Sequence, residues 1–145
     1  MHPRIAAYDE NGKLHDTATA IGSSAAGAVS AAAKILDLGA AARTKGTFRV
    51  EFSTTEIASN DELYTIILQG SSSATFASGI VNLCAVVQGA TEVNGGAGDA
   101  ASGDMYELPF HNVVNGTAYR YLRAYCLVAG TVASGVIYNA WVSMG

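Results

Sequence analysis

The chain has little charge, few cysteines and no long apolar run, and each shortage excludes a class of protein. No run of about 18 consecutive apolar residues occurs, so no segment reads as a membrane-crossing helix. Its two cysteines, Cys84 and Cys126, fall in separate apolar runs. They make no disulfide framework and lack the paired spacing of a zinc site or a redox dithiol, so they read as buried free thiols. Lysine and arginine together number 8, and the formal net charge is −4. That balance offers no field to draw a phosphate backbone, and nucleic acid is not an expected partner. Charged residues make up only 14% of the sequence, so the surface must rely on Ser, Thr, Asn and Gly, a composition suited to burial against other proteins.

Clustered chemistry is also missing. The three histidines, His2, His15 and His111, have no second ligand at metal spacing, which leaves no zinc or other metal site and no implied cofactor. There is no Gly-x-Ser-x-Gly elbow, and neither cysteine has a histidine near it in sequence. Glu51, Glu56, Asp61 and Glu62 would suffice for a glycosidase acid and base if two of them faced each other across a cleft. Ordinary loop solubility explains them more simply. The segment Gly95-Gly96-Ala97-Gly98-Asp99, followed by Gly103-Asp104, resembles one copy of a calcium-binding repeat, but such repeats work by stacking; it reads as a surface loop. Asn115-Gly116-Thr117 fits a glycosylation acceptor, yet a tight turn accounts for it.

What is present is a core. Half of the 145 residues are apolar, and a chain of this length buries roughly 70% of the surface its unfolded form exposes. The composition changes near Lys34. Residues 1–34 are dominated by Ala, Gly, Ser and Thr, with Tyr8, Leu14 and Ile21 as isolated anchors. They read as an N-terminal arm, extended or partly helical over 25–34, that gains order only by lying on something larger. Residues 35–145 carry nearly all the large apolar side chains and read as the folded domain. The Ala-rich stretch 18–33 lacks the Leu-rich centre of a signal peptide and follows Asp9, Glu10 and Asp16, which favours a cytoplasmic product.

Beyond Lys34 the apolar pattern has a period of two, the signature of strands. Phe48, Val50 and Phe52 alternate with Arg49 and Glu51; 63–69 and 80–88 are apolar on both faces; Tyr106, Leu108 and Phe110 alternate around Pro109, which argues for an edge position. Residues 117–128 and 136–142 close the chain, and a short strand at 35–38 opens the domain. Asn115-Gly116 signals a turn before the penultimate strand. The count of seven or eight strands, with no helix between them, predicts an all-β, jelly-roll-like antiparallel sandwich. Tyr119, Tyr121, Arg123 and Tyr125 fall on one face of a continuous strand and suit a protein interface better than a nucleic-acid platform. Lys34, Arg43, Lys45 and Arg49 form a local basic segment.

The segments Ile35-Leu36-Asp37-Leu38-Gly39, Thr65-Ile66-Ile67-Leu68-Gln69-Gly70-Ser71-Ser72-Ser73 and Leu108-Pro109-Phe110, then Tyr119-Arg120-Tyr121 and Ala129-Gly130-Thr131-Val132-Ala133, resemble the capsid cement, or decoration, proteins of tailed double-stranded DNA bacteriophages. The resemblance implies a non-enzymatic jelly roll made in the host cytoplasm, a homodimer or homotrimer seated on the outer surface of the virion shell and bridging major capsid subunits. The arm's Arg4, Tyr8, Leu14, Ile21 and Lys34, with Arg43, are the expected shell contacts, and Tyr119, Tyr121, Arg123 and Trp141 the expected oligomer contacts. A carbohydrate-binding jelly-roll module is the principal rival, and a small metal-dependent jelly-roll enzyme a third reading.

Overall fold

The computed structural model describes residues 10–16, 19–94 and 103–144. Alternating apolar residues form strands wherever the sequence shows that period over seven residues or more. After a single turn of 3-10 helix at Glu10–Gly12 come β1 (Lys13–Asp16), β2 (Ala25–Ala26), β3 (Ala28–Val29), β4 (Ala32–Ala33) and β5 (Leu36–Asp37). The long strands follow: β6 (Lys45–Thr55), β7 (Leu63–Ser71), β8 (Val81–Gly89) and β9 (Met105–His111). A small hairpin, β10 (Val113–Val114) with β11 (Thr117–Ala118), precedes β12 (Tyr121–Ala129) and β13 (Val136–Met144). Asn115 and Gly116, both with positive φ, turn that hairpin as the Asn-Gly signal predicts.

Two antiparallel sheets carry the fold. One runs β1-β13-β6-β9, the other β2-β12-β7-β8, with β5 pairing the opposite end of β12 from β2. Taking β2 and β5 as one interrupted edge strand gives eight strands, four to a sheet, that pass between the sheets at every connection but the β7–β8 one, the wrapped order of a jelly roll. Pro109 does lie on an edge strand, since among the described residues β9 pairs only with β6. The inner faces supply the core: Phe48, Val50 and Phe52 with Tyr138, Ala140 and Val142 from the first sheet; Tyr64, Ile66 and Leu68 with Leu122, Ala124 and Cys126 from the second. Both cysteines are free, and burial pushes each thiol up to about 12, so both stay protonated.

The division at Lys34 is corrected by the structure. Among the described residues of 1–34, β1 pairs with β13, β2 with β12, and Ile21 bridges Val136. Leu14 is fully buried in the core. This segment therefore builds edges of both sheets and is not an arm laid on something else. Nor is any of 25–34 helical: β3 and β4 form an antiparallel hairpin turned by Ser30 and Ala31, both at positive φ. Small side chains are required here because backbones approach closely. A Cβ on Gly27 would lie 2.4 Å from the Leu14 carbonyl oxygen and 3.3 Å from the Ala124 Cβ.

One polar side chain closes the end of the sandwich where β9 finishes. Asn112 is fully buried; its Oδ1 accepts from the Thr44 amide at 2.7 Å, and its Nδ2 donates to the Ala42 and Tyr119 carbonyls, each at 2.9 Å. It thus fixes the approach to β6 and the approach to β12 against one point. Asn112→Ala removes all three bonds at a buried site, and the expected loss is about 2 kcal/mol of unfolding free energy, measured by urea denaturation.

Candidate functional site

The acidic residues are committed to holding loops together. The β6–β7 and β12–β13 connections lie side by side, and Glu56 Oε1 accepts from the amides of Ala133, Ser134 and Gly135 at 2.9, 2.7 and 3.0 Å. These bonds, led by the Ser134 amide, hold its carboxyl below the usual carboxylate range. Asp61 accepts from the Thr131 amide and hydroxyl, both at 2.9 Å, and is likewise held low. Glu62 is fully buried and caps its own turn, accepting from the Ser59 and Asp61 amides. Glu51 pairs with Arg49 on a strand. Gly135 must be glycine at this junction: its φ is +109°, and a Cβ would lie 2.0 Å from the Ile21 carbonyl oxygen. Sequence reasoning singled out these carboxylates but not the amide partners of Glu56 and Asp61, which lie some 70–80 residues away along the chain.

The outer face of the second sheet is different in kind. Leu122, Ala124 and Cys126 point inward, so Tyr121, Arg123, Tyr125 and Leu127 point outward. Register places Leu127 beside Thr65 and Thr65 beside Val87; one row over, Tyr125 lies beside Ile67 and Ile67 beside Ala85. Leu127 is 48% and Val87 42% exposed, and none of these six residues is an Asp, Glu, Lys or Arg. Beside them a polar ladder crosses the same three strands: Arg123 Nε donates to Gln69 Oε1 at 2.9 Å, and Gln69 Nε2 donates to Asn82 Oδ1 at 3.1 Å. The Arg123 guanidinium also sits 4.4 Å over the Phe76 ring, a buried aromatic in a serine-rich loop that the periodicity did not reveal.

The four residues expected at an oligomer contact do not share a surface. Tyr121 and Arg123 lie on this outer face. Tyr119 precedes β12, donates its amide to the Asn112 carbonyl, accepts at its own carbonyl from Asn112 Nδ2, and stands 3.2 Å from where an inward Cβ of Gly70 would be, so it closes the end of the core. Trp141 lies on the opposite side of the molecule: it pairs with Arg49 and Lys13 on the first sheet, whose cations stand 5.8 and 6.0 Å from its ring centre. A single two-fold interface cannot use both faces. The interruption between β11 and β12 breaks the alternation that linked Tyr119 to Tyr121.

The expected shell contacts are dispersed as well. Arg4 and Tyr8 lie outside the described residues, as do His2 and residues 95–102. Leu14 is a core residue of the chain itself, with no surface to offer a partner, because the shift in register between Lys13 and His15 turns both Leu14 and His15 inward. Ile21 is half-buried against the core, and Lys34 is half-buried beside Gly27. Of the expected contacts among the described residues, only Arg43 stands exposed. The basic segment is split: Arg49 belongs to the Trp141 face, and His111, not Lys34, joins Arg43 and Lys45 at the end of the first sheet.

His15 accepts a hydrogen bond from the Ala28 amide at Nδ1 (3.0 Å) and stacks on Tyr138 at 4.0 Å. Burial pushes it down to about 4, against a small opposing pull from Asp16. It is therefore neutral at ordinary pH and structural in its setting. Among the described residues no group of three or more His, Cys, Asp or Glu side chains is arranged to hold a metal ion. Comparison of the chain with protein-family models and with curated proteins returns no match.

Proposed function

We propose that this chain is a structural protein of a viral shell, a decoration or cement protein that binds the outer surface of a tailed-phage capsid and bridges its major capsid subunits. The observation that carries a binding role is the uncharged outer face of the second sheet, where Leu127, Val87, Ala85 and Tyr125 surround Ile67. A face of this kind resembles the apolar centre of a protein interface, with charged side chains displaced to its border. The jelly roll alone does not select a function. The sequence resemblance to phage cement proteins supports the finer reading, and the engagement of Glu56, Asp61 and Glu62 in loop bonds favours a structural over a hydrolytic use of those groups.

In this reading the outer face joins copies of the chain, with Tyr121 and Arg123 at its margin, and the oligomer then meets the shell at many symmetry-related points. Interfaces of standard size bury on the order of 1,600 Å² in total, and repetition over a particle converts weak single contacts into stable attachment. Leu127→Glu places a charge on the exposed part of this face without touching the core. It is expected to convert the oligomer to a monomer of unchanged fold, read by sedimentation equilibrium together with circular dichroism. Shell attachment is tested by cosedimentation with empty phage shells. Saturable pelleting at a fixed ratio to the capsid subunit supports the reading; a monomer that stays in the supernatant, and binds a saccharide instead, replaces it with a carbohydrate-binding module.

A further inference from the structure

A groove at the end of the first sheet brings together basic and apolar groups that the functional reading above does not use. Lys45 and His111 are directly opposed partners where β6 and β9 begin and end, and both are exposed. The Asn112 clamp grips Ala42 and Thr44, on either side of Arg43, and so sets the backbone from which this exposed arginine projects. Phe110 and Pro109 complete the walls of a cavity of about 670 Å³ lined by Arg43, Lys45, Pro109, Phe110 and His111. Gly46 keeps that wall close: a Cβ there would stand 3.2 Å from the Phe110 ring.

The charge in this groove is uncompensated. Arg49 pairs with Glu51, Arg120 with Asp37, and Arg123 bonds Gln69. Neither Arg43 nor Lys45 has an acidic partner among the described residues. In a chain of formal net charge −4, two uncompensated cations and an imidazole concentrated at one prebuilt groove select for a negative ligand. The apolar floor asks for a hydrophobic side chain next to that negative charge. The groove is open along an edge strand, which suits an extended segment more than an enclosed small molecule. Two full positive charges are too few to track a phosphate backbone against the chain's own negative charge.

We infer that the Arg43, Lys45 and His111 groove docks an acidic peptide segment of a partner protein, with carboxylates on the three basic groups and an apolar side chain against Phe110 and Pro109. The probe is a fluorescent peptide alternating Glu or Asp with Leu or Phe, titrated with the full chain and read by anisotropy. Binding is expected to weaken as salt rises and to fall at least about tenfold in an Arg43→Glu, Lys45→Glu double variant. Both positions are exposed, and an unchanged thermal melt confirms that the variant folds. A peptide with Gln and Asn in place of the acids is expected not to bind. Equal binding of that amide peptide, an unaffected double variant, displacement by inorganic phosphate at matched ionic strength, or preferential binding of a single-stranded oligonucleotide would each overturn the assignment.

Discussion

Deleting residues 1–34 is expected to unfold the sandwich, leaving no cooperative thermal transition at room temperature or above. The deletion removes β1, the edge of the first sheet, and β2, part of the edge of the second. It strips Leu14 from the core and exposes the flank of β13 that Lys13, His15 and Asp16 had paired. It also takes away Ile21, whose amide and carbonyl both bond Val136. Large-to-small substitution of one fully buried leucine costs about 3 kcal/mol, and stabilities of whole domains are roughly 5–15 kcal/mol. Leu14→Ala is therefore the graded version of the same experiment: a folded chain with a midpoint in urea well below the parent's. A truncated chain that melts cooperatively near the parent temperature would contradict the assignment of this segment to the sheets.

Acid is expected to weaken the fold through His15. The unfolded chain takes up this proton near pH 6.5, whereas burial holds the folded group down to about 4. Within that window the unfolded state binds more protons, so stability is complete above pH 6.5 and falls as pH drops toward 4. The interval corresponds to about 3 kcal/mol, a large part of the stability of a domain this size. The carboxyls of Asp37, Glu56 and Asp61, held low by hydrogen bonds, contribute stability that is lost mainly at still lower pH. His15→Asn keeps an acceptor near the Ala28 amide and cannot charge. Its unfolding free energy should be nearly flat from pH 6.5 to 4.5, while the parent's declines. Parallel curves for the two proteins would remove His15 as the cause.

The long strands were legible because their inner faces carry large side chains at every second position, as Phe48, Val50 and Phe52 do, or Tyr64, Ile66 and Leu68. Pro109 marked an edge because it has no amide to donate, and Asn115-Gly116 marked a turn because both residues accept positive φ. The N-terminal strands were hidden by the same physics. Around Gly27 the backbones come so close that only small residues fit, and a run of alanines shows no apolar period. A composition change that resembles a domain boundary is in fact a packing constraint. The Ser30-Ala31 turn lacks the Asn or Gly that usually announces such a geometry.

Alternation along one strand tells which residues share a face, but it does not tell which sheet the strand joins. Trp141 and Tyr121 thus looked like neighbours and lie on opposite sides. His111 joined Arg43 and Lys45 only through the β6 and β9 register, a pairing that spans 66 residues between Lys45 and His111.

The central structural claim is that the N-terminal segment belongs to the jelly roll, so that a sheet face and the basic groove are left for partners. Amide hydrogen exchange on the free protein tests it most directly. The account predicts that Ile21, Gly27 and Ala28, whose amides bond Val136, Ala124 and His15, are protected in the free chain well beyond unstructured peptide rates. Exchange of all three at the unstructured rate, with β7 and β12 still protected, would contradict it and restore an arm that orders only on a partner.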